Sequence, residues 1–305
     1  MSRRRGDGAA PNAVRSVDPL RGILLMVAAC TAFAVLDATV KVLSARYPAP
    51  MIAWTRYFLH VAVMLVVLWP RYGARLFATR RPGLQIVRGV CLGASSLLFF
   101  SALVHLPLAE TTAIMSVAPI LVTVAAVRWL GEKAPARAGW VLGLSFAGVL
   151  LIIRPGSALF GWPALLPLCT ALFGAAYQLA TRRLSGVDEG VATLFLGGLV
   201  AMVVLAVVLP FYWTLPRSFG DALLFLATGV IGAGGHMMLV RAYEHASAST
   251  LAPFGYAHAV AALPIGLVVF GSFPDQLALT GMAMIVASGA WTAWRHRVPM
   301  PPVED

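Results

Sequence analysis

The sequence predicts an all-α membrane protein of ten transmembrane helices, arranged as two inverted five-helix repeats. Three observations predict it. Of 305 residues 60% are hydrophobic and only 11% are charged, against roughly 45–50% and 25% in soluble globular domains, and a soluble surface needs more polar cover than that. The apolar residues gather into ten runs, most near the roughly 20 residues that span a bilayer as a helix. A near-constant offset of 140 to 141 residues lays parts of the second half on the first: Gly89-Val90 on Gly229-Val230, Ala102 on Ala242, His105 on His245, Gly131 on Gly271, and Leu43-Ser44 on Leu184-Ser185. Five spans per half is an odd number, so the second copy enters the membrane from the opposite side.

In order, the runs are 20–44, 51–70, 84–104, 109–130, 138–153, 161–182, 191–210, 221–241, 249–270 and 277–294. The first follows Arg3, Arg4 and Arg5 and contains Val27-Ala28-Ala29-Cys30, which resembles a cleaved lipoprotein signal. The apolar stretch ahead of Cys30 is too short for a signal core and the pattern continues to Ser44, so an uncleaved helix is expected. This run carries Asp37 and Lys41, four apart and therefore on one face. The second carries Arg56, the third Ser96. The fourth opens on Glu110, Thr111 and Thr112, residue types that cap helix N-termini, and continues to Ser116 and Pro119. The fifth, the shortest, and the tenth hold no ionisable residue in their interiors. The sixth carries Tyr177 and Gln178. The eighth has Gly232, Gly234 and Gly235 before His236, glycines that permit close backbone approach or leave room for a ligand. The ninth holds Tyr256 and His258, two apart and so not on one face; the offset places Tyr256 on Ser116 and His236 on Ser96, which favours Tyr256 as the inward group. Pro119, Pro253 and Pro264 lie inside helices, as bends or to free backbone carbonyls.

A net charge of +11 in a soluble protein would suggest nucleic acid. Here its distribution explains it without such a partner. With the N-terminus inside, the cytoplasmic side receives Arg3, Arg4, Arg5, Arg15, Arg21, Arg71, Arg75, Arg80, Arg81, Arg128, Lys133, Arg137, Arg182, Arg183, Arg241, Arg295 and Arg297. The outside receives Arg46, Arg154 and Arg217, while Lys41, Arg56 and Arg88 lie within helices. Seventeen against three orients both termini to the cytoplasm of an inner (plasma) membrane protein. The domain reading is a basic tail over 1–19, repeats over 20–153 and 161–294, and a second tail over 295–305. Cys30, Cys91 and Cys169 sit singly in separate runs with no metal-site spacing, as small core residues.

The stretch ALVHLPLAETTAIMSVAPILVTVAAVRWLGEKAPARAGWVLGLSFAGVLLIIRP resembles the first EamA repeat of the drug/metabolite transporter superfamily. Its marks are Ala102 at the end of the third helix, Pro119 in the fourth, and the Gly131-Glu132 turn before the fifth. RAYEHASASTLAPFGYAHAVAALPIGLVVFGSFPDQLALTGMAMIVASG is similar to the second repeat, departing at Gly271-Ser272 where the family usually has Gly-Glu. The resemblance runs over 20–294. It implies that the first, third, fourth, sixth, eighth and ninth helices line a central cavity, with the fifth and tenth peripheral, and that Arg56 matches the second-helix arginine of many members.

An ionisable residue in hydrocarbon costs about 2.5–3.5 kcal/mol, so each needs a partner or a cavity. The expected function is a secondary transporter moving a small polar or zwitterionic metabolite, such as an amino acid, vitamin or nucleoside-like compound, by alternating access. Asp37, Lys41 and Arg56 are expected to engage its charged groups, and Ser96, Ser116, Tyr177, Gln178, His236 and Tyr256 its polar body. Lys41 is expected to pair with Asp37 and keep it charged. There is no Walker A sequence, and no cofactor or metal is expected; the partners are the metabolite and lipid. Two alternatives stand beside this one. A polytopic membrane enzyme would need a clustered nucleophile and base or a metal motif, and neither H-E-x-x-H nor G-x-S-x-G occurs. A passive channel or scaffold shares the composition but does not require inverted repeats.

Overall fold

With no water to satisfy backbone groups, an apolar run in lipid closes its hydrogen bonds within itself as a helix. A computed structural model of the chain, describing residues 18–130, 138–153 and 161–295, is helical over most of each described run. Its α-helices are α1 (Pro19–Ser44), α2 (Ala49–Tyr72), α3 (Pro82–His105), α4 (Leu108–Met115), α5 (Ala118–Leu130), α6 (Ala138–Ile153), α7 (Leu165–Leu184), α8 (Gly190–Ala206), α9 (Phe219–His245), α10 (Ala248–Leu251), α11 (Ala257–Phe270) and α12 (Gln276–Arg295). Among the described residues six helical stretches are long and apolar enough to cross a membrane, and three shorter ones are apolar. Large apolar side chains face outward, among them Val66, Trp140 and Val268, the last 83% exposed. Such a surface suits lipid, and the chain is a multi-pass membrane protein. The Gly131-Glu132 turn, Lys133, Arg137, Arg154 and, of the tails, residues 1–17 and 296–305 lie outside the described residues.

Two runs expected as single helices are broken. The run 109–130 is α4 and α5, separated at Ser116-Val117, and 249–270 is α10, a 3₁₀ segment (Ala252–Tyr256) and α11. Proline has no N–H, so Pro119 and Pro253 cannot bond the carbonyls of Met115 and Ser249 four residues back. The chain tightens instead: Ser116 N–H donates to both Thr112 O (3.0 Å) and Ala113 O (3.1 Å). Pro264, in contrast, stays within α11.

The helices pack as matched pairs. α1 lies along α9 and α11, while α7 lies along α3 and α5; α8 packs on α2 and α3, α2 on α9, and α6 on α12. Glycine sets the closest approaches. A Cβ on Gly89 would collide with Val200 of α8, and one on Gly229 with Leu59 of α2, so the two glycines aligned by the sequence offset do the same job in two helix pairs. At the α6–α12 crossing a Cβ on Gly148 would stand 2.6 Å from Gly281 O, a backbone atom that cannot swing aside. Gly148→Leu is therefore expected to cost about 1–3 kcal/mol through overpacking, read as a lower unfolding midpoint in detergent. Gly143→Leu, whose added Cβ meets nothing within 4 Å, should not lower it.

Polar ties pin the loop ends. Where α1 ends, Arg46 Nη1 lies 2.6 Å from Asp221 Oδ1, Tyr47 Oη donates to Asp221 Oδ2 (2.8 Å), and Arg217 N–H donates to Tyr47 Oη (2.7 Å). At the opposite end Asp188 accepts from Thr79 Oγ1, Arg80 N–H (2.8 Å) and Gln85 Nε2 (3.0 Å). Partial burial pushes the Asp188 carboxyl up, but these donors and the Arg80 charge outweigh it and hold the group below its ordinary value. A depressed folded-state value makes this tie complete at neutral pH and lost as pH falls through that value. Hydrogen exchange at the Arg80 amide, corrected for intrinsic rate, should accelerate below the ordinary carboxylate range, and Asp188→Ala should show the fast rate already at neutral pH, with the two proteins converging at low pH. Of the cysteines, Cys30 and Cys91 are buried as expected, but Cys169 is exposed. A thiol behaves as a small hydrophobe, so an apolar outer face accepts it as readily as a core does.

Candidate functional site

A cavity of about 160 Å³ lies near the middle of the helix lengths. α1 contributes Cys30, Phe33 and Asp37; α2 contributes Arg56; α3 contributes Ser96 and Phe99; α7 contributes Tyr177 and Gln178; α9 contributes His236. The two broken helices supply Met115, Ser116 and Ala118 on one side and Gly255 and His258 on the other. Both breaks thus face the cavity, where irregular backbone is tolerated in a membrane protein. Among the described residues α6, α8 and α12 supply no lining residue.

Arg56 anchors one wall. It is 4% exposed and its Nη1 donates to Ser96 Oγ (3.0 Å) while Nη2 lies 2.9 Å from His236 Nε2. Arginine has no acceptor, so Nε2 must accept and carries no proton. The ring proton of neutral His236 is then on Nδ1, which donates to Tyr177 Oη at 3.1 Å. Behind Tyr177 stands Arg88, fully buried: its Nε donates to Thr181 Oγ1 (2.8 Å), Nη1 to Thr193 O (2.7 Å) and Nη2 to Tyr177 Oη (3.1 Å). The Tyr177 oxygen accepts from both neighbours, which leaves its own proton available to a ligand in the cavity that Tyr177 lines. Aromatic faces add to the cation sites, with Arg56 4.8 Å from the Tyr57 ring centroid and Arg88 4.7 Å from that of Tyr177. Among the described residues neither guanidinium has a carboxylate within ion-pair distance.

The opposite wall is acidic. Asp37 Oδ2 accepts from His258 Nε2 at 2.7 Å, with Phe33 between the two sites, its ring 4.8 Å from His236 and 6.4 Å from His258. Gly235 leaves room for that ring and Gly232 for Arg56; a Cβ on Gly234 would meet open space. The cavity therefore offers a carboxylate, a guanidinium and a donating phenol around an aromatic body. Among the described residues no three His, Cys, Asp or Glu side chains converge as a metal site.

The structure brings Asp37, Arg56, Ser96, Ser116, Tyr177, Gln178 and His236 to the cavity, and moves two expected residues away from it. Lys41 does not pair with Asp37. Its Nζ donates to Leu103 O and Leu106 O, each at 2.8 Å, where a cation meets the carbonyl end of α3. The shared face made a pair sterically available, but the long lysine stem reaches outward to those carbonyls while the short Asp37 side chain stays level with His258. Tyr256 is buried in a second cluster with Ala109, Ile114 and Val149. It closes the 3₁₀ segment, which turns faster per residue than an α-helix, so the face assigned on regular helical spacing is displaced and His258 lines the cavity instead. Arg88 carried one signal, a charge inside an apolar run, and the burial that gives it meaning is tertiary.

A family model, the EamA-like transporter family, matches residues 20–154. A pseudopaline exporter of Pseudomonas aeruginosa is 30% identical over 88% of this chain and 94% of its own. A riboflavin transporter of Vibrio cholerae is 29% identical (92% and 95% covered), and an S-adenosylmethionine uptake transporter of Rickettsia conorii is 25% identical (87% and 89%). One crystal structure superposes with a TM-score of 0.63 over 92% of this chain and 97% of that one; at 19% identity it speaks for the fold alone.

Proposed function

Because this chain belongs to the EamA-like transporter family, we propose that it carries a small zwitterionic metabolite across the inner membrane by alternating access, with ten spans in two inverted repeats. The observation that carries the reading is a mid-depth cavity with separated charges, Asp37 with His258 on one wall and Arg56 with Ser96 and His236 on the other. A buried charge needs a counter-charge. An amino group on the substrate serves Asp37, and a carboxylate or similar anion serves Arg56, whose guanidinium has only neutral partners. Tyr177 donates to the anionic end, while Phe33, Phe99 and Met115 pack on the apolar body. The cations outnumber the carboxylate here, so the anion is the stronger requirement.

The helix pairing supports the repeats. A twofold exchange of the halves takes α1 on α9 into α7 on α3, α1 on α11 into α7 on α5, and α2 on α9 into α8 on α3; α6 on α12 and α2 on α8 map onto themselves. This divides the core into one bundle of α1, α9 and α11 and another of α7, α3 and α5, with the cavity between. Relatives named for exporting pseudopaline, for transporting riboflavin and for taking up S-adenosylmethionine support a metabolite cargo rather than an enzymatic reaction or a scaffold.

Purified protein is expected to gain thermal stability with compounds bearing both an amine and a carboxylate, since a ligand bound only to the folded state stabilises it by mass action. The same compounds should drive counterflow in liposomes. Stabilisation by neutral compounds alone would overturn the substrate assignment. With both termini cytoplasmic, a reporter active only in the periplasm should stay silent when fused after Asp305; a bright fusion would sink the topology.

A further inference from the structure

We infer that Lys41 and Arg182 are paired bolts, one on each membrane face, which hold the two bundles together and must release in turn. The inference rests on the transporter reading above. Lys41, one turn before the end of α1, donates to Leu103 O and Leu106 O at the end of α3, in the other bundle. Arg182, near the end of α7, donates through Nη1 to Tyr243 O at the end of α9 (3.2 Å), again in the other bundle. The two contacts are the same contact in the two repeats. Lys41 maps on Arg182 at the offset of 141 that maps Ser44 on Ser185, and Leu103 maps on Tyr243 at 140. Ser185 Oγ also donates to Tyr243 O (3.1 Å), and Tyr243 Oη donates to Gln178 Oε1 (2.7 Å) on the cavity wall.

The chemistry suits a latch more than a ligand site. Each is a cation on the carbonyl end of a helix, favoured by the helix dipole. The direct acceptors are neutral carbonyls, with the Glu110 carboxyl acting on Lys41 through space, so neither bond is a contact ion pair that must be pulled apart. Both cations lie near helix ends, where a long side chain released from its carbonyls reaches the interface. Separating α1 from α3 at the Lys41 end opens the cavity outward, and separating α7 from α9 at the Arg182 end opens it inward. With both bolts made, as here, the cavity is held from both sides.

Cys30 lines the cavity and serves as a native reporter once Cys91 and Cys169 are replaced by Ala. A charged, membrane-impermeant methanethiosulfonate is applied to right-side-out and to inside-out vesicles. Lys41→Met is expected to speed modification from the outer face only, and Arg182→Met from the inner face only. The expected factor is roughly ten- to hundredfold, the range for losing a charge-assisted hydrogen bond. Lys41→Arg, which keeps the donors, should restore the slow rate. Ser116→Cys in a Cys30→Ala background repeats the measurement at a second cavity position. Unchanged rates at both reporters, or both variants opening the same face, would overturn the bolts. The readout needs no substrate: face-selective opening without counterflow of any tested compound would fault the cargo assignment, whereas counterflow without face-selective opening would fault the bolts.

Discussion

Asp37→Asn is expected to abolish substrate binding while leaving a folded, expressed protein. Asparagine keeps the size of the side chain and an oxygen to accept from His258 Nε2, now at 2.7 Å. Lys41 is held by Leu103 O and Leu106 O, so it loses nothing when the carboxylate goes. What disappears is the negative charge offered to a substrate amine. Losing one partner of a buried, hydrogen-bonded charge pair costs about 2–5 kcal/mol, which is roughly 30-fold to several thousand-fold in Kd. The expected result is an unchanged unfolding midpoint without substrate and no upward shift with it, together with lost counterflow. The competing account makes Asp37 and His258 a structural pair, whose breakage strands a buried group at about 3–5 kcal/mol. The two diverge in Asp37→Leu with His258→Leu. A double variant that expresses and transports normally would make the pair structural and remove Asp37 from the site.

The sequence was most legible where the solvent dictated the answer. Lipid demands long apolar runs and internally satisfied backbones, so the runs are helices, and the 140-residue offset between Gly89 and Gly229 reappears as two matching close approaches. It was least legible where a side chain had a choice of partners. Lys41 has Asp37 one turn below it and carbonyls of another helix above it, and spacing along α1 says nothing about how close α3 comes. Tyr256 against His258 turned on whether the helix is regular between Ala252 and Tyr256. Pro253 marked a disturbance but not its direction of turn. Arg88, six residues past the start of α3, reads only as a charge within a helix until α7 and α8 close over it.

That burial separates the two guanidiniums beside the cavity into different expected phenotypes. Arg56 lines the cavity, and its Nε has no hydrogen-bond partner among the described residues. Arg56→Gln should therefore fold, retain a contact to Ser96, and lose affinity for the anionic end of the substrate. Arg88 is held by Thr181, Thr193 and Tyr177. Arg88→Met removes three charge-assisted hydrogen bonds from a dry interior at about 1.5–3 kcal/mol for each bond to a charged group, a large share of the 5–15 kcal/mol that typically holds a domain together. Its expected result is poor expression and a lower unfolding midpoint, not a selective binding defect. Gly197 of α8 supplies the control. A Cβ there would collide with Arg88 Nη1, so Gly197→Ala should destabilise the wild type by displacing the guanidinium. In the Arg88→Met background that collision is gone. The double variant should be more stable than the sum of the single effects, by the 0.5–3 kcal/mol typical of residues in direct contact. Strict additivity would mean that Arg88 does not sit against α8, and the separate roles of the two arginines would fall with it.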